Sequence, residues 1–150
     1  MYKALSVAHY IIDYYNSHGR AINIYKLQNL LYLVQAEFLV STKYHRPCFS
    51  DQIEAWDCGI IIPTVYYQYR RFGAGIIIPD ENDVLNSHYQ KITEEDKEKI
   101  DNVLKEIIGY YSEAELGFLI KNQTLWKEAN KRSYNNRISN ESIYEYFKEG

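Results

Sequence analysis

Apolar residues recur every three or four positions along several stretches of the chain, which is the period of an amphipathic helix. This spacing predicts a first helix over residues 3–18, ended by Gly19, and a second helix over residues 24–41. Asn23 is placed to cap the start of the second helix. The apolar face of that helix is broader than a single seam, so we expect it to be the central helix of the fold.

The helical period fades between residues 43 and 62, where Pro, Ser, Asp and Gly interrupt a short alternating pattern. This pattern predicts one or two short strands or an extended loop. Pro63 suits the first turn of a third helix, which should end at Gly73. The apolar run at residues 75–79 is too short for a helix and predicts a partner strand, and the polar segment 80–92 predicts a connecting loop.

The second half of the chain returns to helical spacing. Thr93 with Asp96, and Ser112 three residues before a Glu, resemble capping boxes that begin two helices. A short helix in TLWKEA and a last one in NESIYEYF follow, and the last should dock through Ile143 and Phe147. We therefore predict a mainly α, compact multi-helix domain over residues 1–150. A small β element, built from residues 48–57 and 75–79, should lie between the second and third helices.

Composition is that of an ordinary globular protein, with 46% apolar and 25% charged residues in 150. The net charge of −3 argues against general binding of nucleic acid. No stretch approaches the roughly 20 apolar residues that span a bilayer, and the N-terminus does not resemble a signal peptide, so we expect a cytoplasmic protein without a membrane segment. Cys48 and Cys58 are expected to be reduced thiols, and we expect no metal and no cofactor.

No arrangement of residues in the sequence indicates catalysis. The four histidines are scattered, and neither of the usual glycine-rich phosphate-binding motifs is present. We therefore expect that the protein is not an enzyme. The most unusual feature is a total of 16 tyrosines, a residue type that suits protein interfaces and half-buried core positions equally well.

Two segments could in principle bind nucleic acid. The first two predicted helices could form a helix-turn-helix, but the broad apolar face of the second favours core packing over base contact. Around the segment YRRFG, Arg70 and Arg71 lie beside Tyr66, Tyr67 and Tyr69. Arg and Tyr together are typical of protein interface hot spots as well as of nucleic-acid contacts.

Three segments, in order, resemble the SocA-like or Panacea antitoxin domain, also known as a phage-associated protein family. KLQNLLYLVQ at residues 26–35 is similar to the family's second helix, and EAWDCGIIIPTVYYQYRRFG at 54–73 is similar to its next motif. QTLWKEA at 123–129 is a weaker match. The chain departs from the family pattern at Ile60 and Leu125, where the family usually has Pro, and it lacks the His of the third motif.

The resemblance implies an antitoxin that binds a cognate toxin protein directly, and in one mode acts as an adaptor that presents the toxin to a ClpXP-type protease. The alternative is a phage or mobile-element regulatory protein that binds DNA. The candidate partner-binding residues are Gln28, Tyr32, Tyr66, Tyr69, Arg70 and Arg71. Among them, Tyr66, Tyr69 and Arg70 are predicted to share one helical face, whereas the alternative for Tyr66 is packing on Trp56 inside the domain.

Overall fold

Seven α-helices and three short strands are present in the part of the chain that the computed structural model describes, residues 1–78, 89–132 and 134–149. The helices are α1 Ala4–Ser17, α2 Ile24–Ser41, α3 Pro63–Tyr69, α4 Glu94–Tyr110, α5 Glu113–Lys121, α6 Thr124–Lys131 and α7 Asn140–Phe147. The strands are β1 Ile53–Trp56, β2 Gly59–Ile61 and β3 Arg137–Ile138, and a 3₁₀ turn spans Arg70–Phe72. The mainly α prediction is confirmed.

Helix starts follow the local sequence closely. The side chain of Asn23 accepts a hydrogen bond from Lys26 N–H at 2.9 Å, which satisfies a backbone donor left free at the start of α2. Thr93 and Ser112 cap α4 and α5 in the same way, as predicted. At the end of α1, Gly19 adopts a φ of 68°, the left-handed conformation that glycine tolerates without a Cβ clash.

Helix α2 is the centre of the core. Eleven of its residues are buried, and α1, α3, α4, α5, α7 and β2 all pack against it. A helix that is covered on most sides needs apolar residues around most of its circumference, as the broad face of residues 24–41 predicted. At the last helix, Ile143 is fully buried and Phe147 packs on the core, so the predicted docking of α7 is confirmed.

The β element is an antiparallel sheet with strand order β2-β1-β3. β1 and β2 lie between α2 and α3, as predicted, with Ala55 opposite Ile60. The second neighbour of β1 is β3, which comes from between α6 and α7 and places Ile138 opposite Ile53. The sheet therefore takes its third strand from near the end of the chain.

The predicted strand at residues 75–79 is wrong for the described residues 75–78. Ile77 is buried and its N–H donates to the Ile22 carbonyl at 2.9 Å, so this segment covers the chain ahead of α2. The edge of β1 that it would have joined is occupied by β3. Pro79 and residues 80–88 of the predicted loop lie outside the described residues.

A partly buried ion pair, with Asp96 buried and Arg46 about 40% exposed, joins the start of α4 to the loop after α2. Asp96, which is 4% exposed, accepts two hydrogen bonds from the Arg46 guanidinium at 2.9 and 2.6 Å, and one from the Tyr2 hydroxyl at 2.5 Å. The bidentate Arg46 contact holds the pKa of Asp96 well below its usual range, against the opposing effect of burial. The Asp96 carboxylate therefore connects three segments of the chain, while the Thr93 N–H donates to the Tyr2 hydroxyl at 3.2 Å.

No described helix combines the length and the apolar content needed to cross a bilayer.

Candidate partner-binding surface

Helix α3 is fixed to the scaffold at its first turn. Pro63 occupies the first helical position, where a backbone N–H would have no partner within the helix. The Thr64 hydroxyl donates to one oxygen of Asp51 at 2.6 Å, and the other oxygen of Asp51 accepts from Ala4 N–H at 2.9 Å. One carboxylate therefore connects the start of α3 to the start of α1.

The inner side of α3 is set by Val65 and Tyr69, four residues apart and both at most 2% exposed. This pair faces the core, so the outward side of the helix carries the residues between and after them. After Tyr69 the chain tightens into the 3₁₀ turn and ends at Gly73, whose φ of 57° matches the predicted helix end.

The outward side carries an aromatic and arginine cluster, which we call the α3 face and define as Tyr66, Tyr67, Arg70 and Arg71. Tyr67 is 58% exposed, and the Arg70 guanidinium lies 5.1 Å from the centre of its ring. Arg71 lies 4.7 Å from the centre of the Phe72 ring and donates to the Gln68 carbonyl at 2.7 Å. Both exposed guanidinium groups are thus held against aromatic rings, which restricts their freedom before any partner arrives.

Tyr66 lies at the border between this face and the core. Its ring meets Trp56 edge-on at 5.1 Å and Tyr67 at 5.8 Å. The alternative that Tyr66 packs on Trp56 is therefore confirmed, although Tyr66 keeps part of its surface exposed. The Trp56 indole N–H donates to Glu54 Oε1 at 2.8 Å, which fixes the tryptophan that Tyr66 rests on.

Three of the six candidate residues are buried, so the expectation that they are exposed is wrong. Gln28 and Tyr32 are 0% exposed and Tyr69 is 2% exposed. Arg70 and Arg71 are exposed, as predicted. The structure brings together Tyr66, Arg70 and Arg71 and separates them from Gln28 and Tyr32, which lie inside the core on α2.

Gln28 and Gln35, the two glutamines of the KLQNLLYLVQ segment, hold the irregular chain around α2. Gln28 Oε1 accepts from Ile62 N–H at 2.8 Å, just before α3. Gln35 Oε1 accepts from Cys48 and Phe49 N–H at 2.9 and 3.1 Å, and its Nε2 donates to the Phe49 carbonyl at 2.9 Å. The hydrogen bond from Ile62 to Gln28 joins the first two sequence motifs physically.

Tyr67 was part of the predicted basic and aromatic patch but was not among the six candidate partner-binding residues. The missing signal was the helical phase of α3, where Val65 is the single aliphatic residue and the position four residues later must share its inner side. Choosing Val65 and Tyr69 as the buried pair would have placed Tyr67 and Arg70 outside.

The remaining reactive side chains are dispersed. Cys48 is buried, which raises its pKa to about 12 and keeps it as an unreactive thiol, whereas Cys58 is exposed. Across residues 1–78, 89–132 and 134–149, no three His, Cys, Asp or Glu side chains converge where they could hold a metal ion.

Comparison with known proteins identifies the family. The family model for the SocA-like antitoxin, Panacea domain, matches residues 27–127, which is 101 of the 150 residues and runs from α2 into α6. No curated protein and no solved structure matches the chain. Because the match covers well over half of the sequence, the chain belongs to the SocA-like antitoxin family with a Panacea domain.

Proposed function

We propose that this protein neutralises a cognate toxin protein by binding it directly through the α3 face. The family is antitoxin-like, which supports a protein partner. The observation that carries the choice of surface is Tyr67, an aromatic ring that is 58% exposed and covered on one side by the Arg70 guanidinium.

Tyr and Arg side chains at the centre of an interface commonly contribute most of its binding energy. Tyr offers a large apolar area with a polar tip, and Arg can donate two parallel hydrogen bonds to a carboxylate. Because Arg70 already lies against Tyr67 and Tyr66 already lies against Trp56, binding would restrict few further rotamers. A partner with an exposed carboxylate beside an apolar patch fits this face.

The test is a double substitution, Tyr67→Ala with Arg70→Ala, in cells that also express a toxin which the native protein neutralises, sought first among the products of neighbouring genes. Truncating a central hot-spot residue commonly costs more than about 2 kcal/mol, so affinity should fall at least about 30-fold and rescue should fail. Both residues are exposed, and the free energy of unfolding should change by less than about 1 kcal/mol.

The matched control is Tyr134→Ala with Arg20→Ala, which removes the same two residue types from exposed positions elsewhere. It should rescue as well as the native protein. Full rescue by the Tyr67 and Arg70 variant, with stability unchanged, would refute the α3 face as the toxin-binding site.

Blocking and delivery to a ClpXP-type protease differ in their effect on the toxin itself. Simple blocking leaves the lifetime of the toxin unchanged or longer, whereas delivery shortens it only in cells that contain the protease. A pulse-chase measurement of toxin lifetime, with and without ClpXP, therefore distinguishes the two modes.

A further inference from the structure

A second surface, separate from the α3 face, is a groove of about 540 Å³ between α2, α4, α5 and α7. Its walls are largely apolar, with Val40 from α2, Val103 from α4, Leu119 from α5 and Phe147 from α7. Leu119 is 46% exposed, so the groove presents large apolar side chains to solvent.

The buried Tyr32 contacts two of the side chains that line the groove. Its ring meets Phe147 edge-on at 5.7 Å, and its hydroxyl donates to Gln123 Oε1 at 2.5 Å. Phe147 and Gln123 both line the groove, so one core residue positions two of the groove's side chains. The groove is therefore formed before any ligand enters it.

The charged side chains that line the groove are all negative. Glu37 on α2 and Glu106 on α4 are the charged residues that line it, and both are exposed. Within the described part of the chain, neither carboxylate takes part in a hydrogen bond or an ion pair. An occupant that carries a Lys or Arg would supply the missing opposite charge.

The walls also restrict the backbone of an occupant. Helices form most of the groove, and the N–H and C=O groups along a helix already bond to one another. Such walls offer few backbone partners to an extended peptide, which would leave its own polar groups unsatisfied on an apolar surface. A helix satisfies those groups internally and can lay an apolar face into the groove.

We propose that this groove binds an amphipathic helix of a partner protein, with apolar side chains on one face and a Lys or Arg at its flank. The proposal does not depend on the α3 face, since the two surfaces share no residue. It adds a second docking site of different chemistry. The groove is apolar and acidic, whereas the α3 face is aromatic and basic.

The test uses two synthetic helical peptides of about 15 residues, a length at which isolated helices become marginally stable. They share one leucine face and differ in flanking residues, which are Lys in one peptide and Glu in the other. Binding is followed by amide chemical shifts of the full-length protein and by fluorescence anisotropy. The Lys peptide should bind about fivefold more tightly, because two exposed charge pairs each contribute modestly. Its shifts should map to α2, α4, α5 and α7.

A charge reversal, Glu37→Lys with Glu106→Lys, should make the Glu peptide the tighter ligand. The matched control, Glu98→Lys with Glu128→Lys, alters the net charge equally at exposed positions outside the groove and should keep the preference for Lys. Leu119→Ser with Tyr146→Ser should weaken both peptides about tenfold, with an unchanged melting temperature. Tyr67→Ala with Arg70→Ala should bind both peptides normally, which separates this proposal from the toxin-binding one.

Three results would overturn the proposal. One is the absence of groove shifts at peptide concentrations up to about 1 mM. Another is a preference for Lys that survives the reversal at Glu37 and Glu106. The third is a dimer in solution that dissociates on Leu119→Ser, because the occupant would then be a second copy of this chain.

Discussion

Replacing Gln28 and Gln35 one at a time by methionine should produce two very different losses of stability. The two residues belong to one helix, are both 0% exposed, and would undergo the same nearly isosteric change. They differ in hydrogen bonding. Gln35 joins three backbone groups of Cys48 and Phe49, while Gln28 accepts a single bond from Ile62 N–H.

The magnitudes follow from the groups left without partners. Gln35→Met orphans two N–H groups and one carbonyl in the core, each at about 1–3 kcal/mol, so the free energy of unfolding should fall by at least about 3 kcal/mol. Gln28→Met orphans Ile62 N–H, but it also removes Gln28 Nε2, a buried donor without a partner among the described residues. These two effects have similar size and opposite sign, so the net loss should be below about 1 kcal/mol.

Urea denaturation followed by far-UV circular dichroism measures both values, provided that the slope with denaturant stays constant between variants. Leu30→Met, an apolar replacement at a fully buried position of the same helix, controls for the effect of introducing methionine. Equal losses at Gln28 and Gln35 would refute the hydrogen-bond assignment, and a larger loss at Gln28 would refute the reasoning about its unpaired amide.

Two further predictions concern titrating groups. The pKa of Asp96 is lowered in the folded state, so its contribution to stability is present above the unfolded value of about 4 and is lost as the pH falls below it. Asp96→Asn should therefore cost about 2 kcal/mol at pH 7 and flatten the dependence of stability on pH between 5 and 3, measured by urea denaturation; a wild-type slope in the variant would contradict this. Iodoacetamide at pH 8 should label Cys58 and spare the buried Cys48, whose pKa is raised to about 12, with both labelled in urea. Mass spectrometry counts the adducts, and fast labelling of Cys48 in the native protein would show that the loop after α2 opens.

Local signals in the sequence were sufficient for most helix boundaries. Asn23, Thr93 and Ser112 each cap a donor three residues ahead, so the information for the cap lies within one helical turn. The central position of α2 could also be predicted from the sequence, because a helix with a broad apolar face must be covered on several sides.

The third strand could not be predicted because it depends on pairing with a distant part of the chain, not on signals within one helical turn. β3 is two residues long, lies in a polar stretch, and pairs with a strand far earlier in the chain. The apolar run at 75–79 had better strand composition, yet composition does not determine which segment reaches the free edge of β1.

The candidate surface was predicted in part. Arg70 and Arg71 follow the last buried position of α3, and their exposure could be read from the sequence. Tyr69 was misplaced because the tyrosines at 66, 67 and 69 give no contrast among themselves, and the helical phase that Val65 sets was not applied to them. Gln28 was misplaced because polarity alone argues for the surface, and only the structure reveals the backbone donor that it satisfies.

The middle position of β1 in the sheet has a consequence for folding during synthesis on the ribosome. The β1-β2 hairpin can close as soon as Ile61 emerges, but the other edge of β1 stays open until Ile138 is made. At about 5–20 residues per second, that interval lasts roughly 4–15 seconds. During it the nascent chain presents unpaired N–H and C=O groups, and α2 still lacks the cover of α7. Newly made copies therefore pass through an open form, with one edge of β1 unpaired, that finished copies do not share.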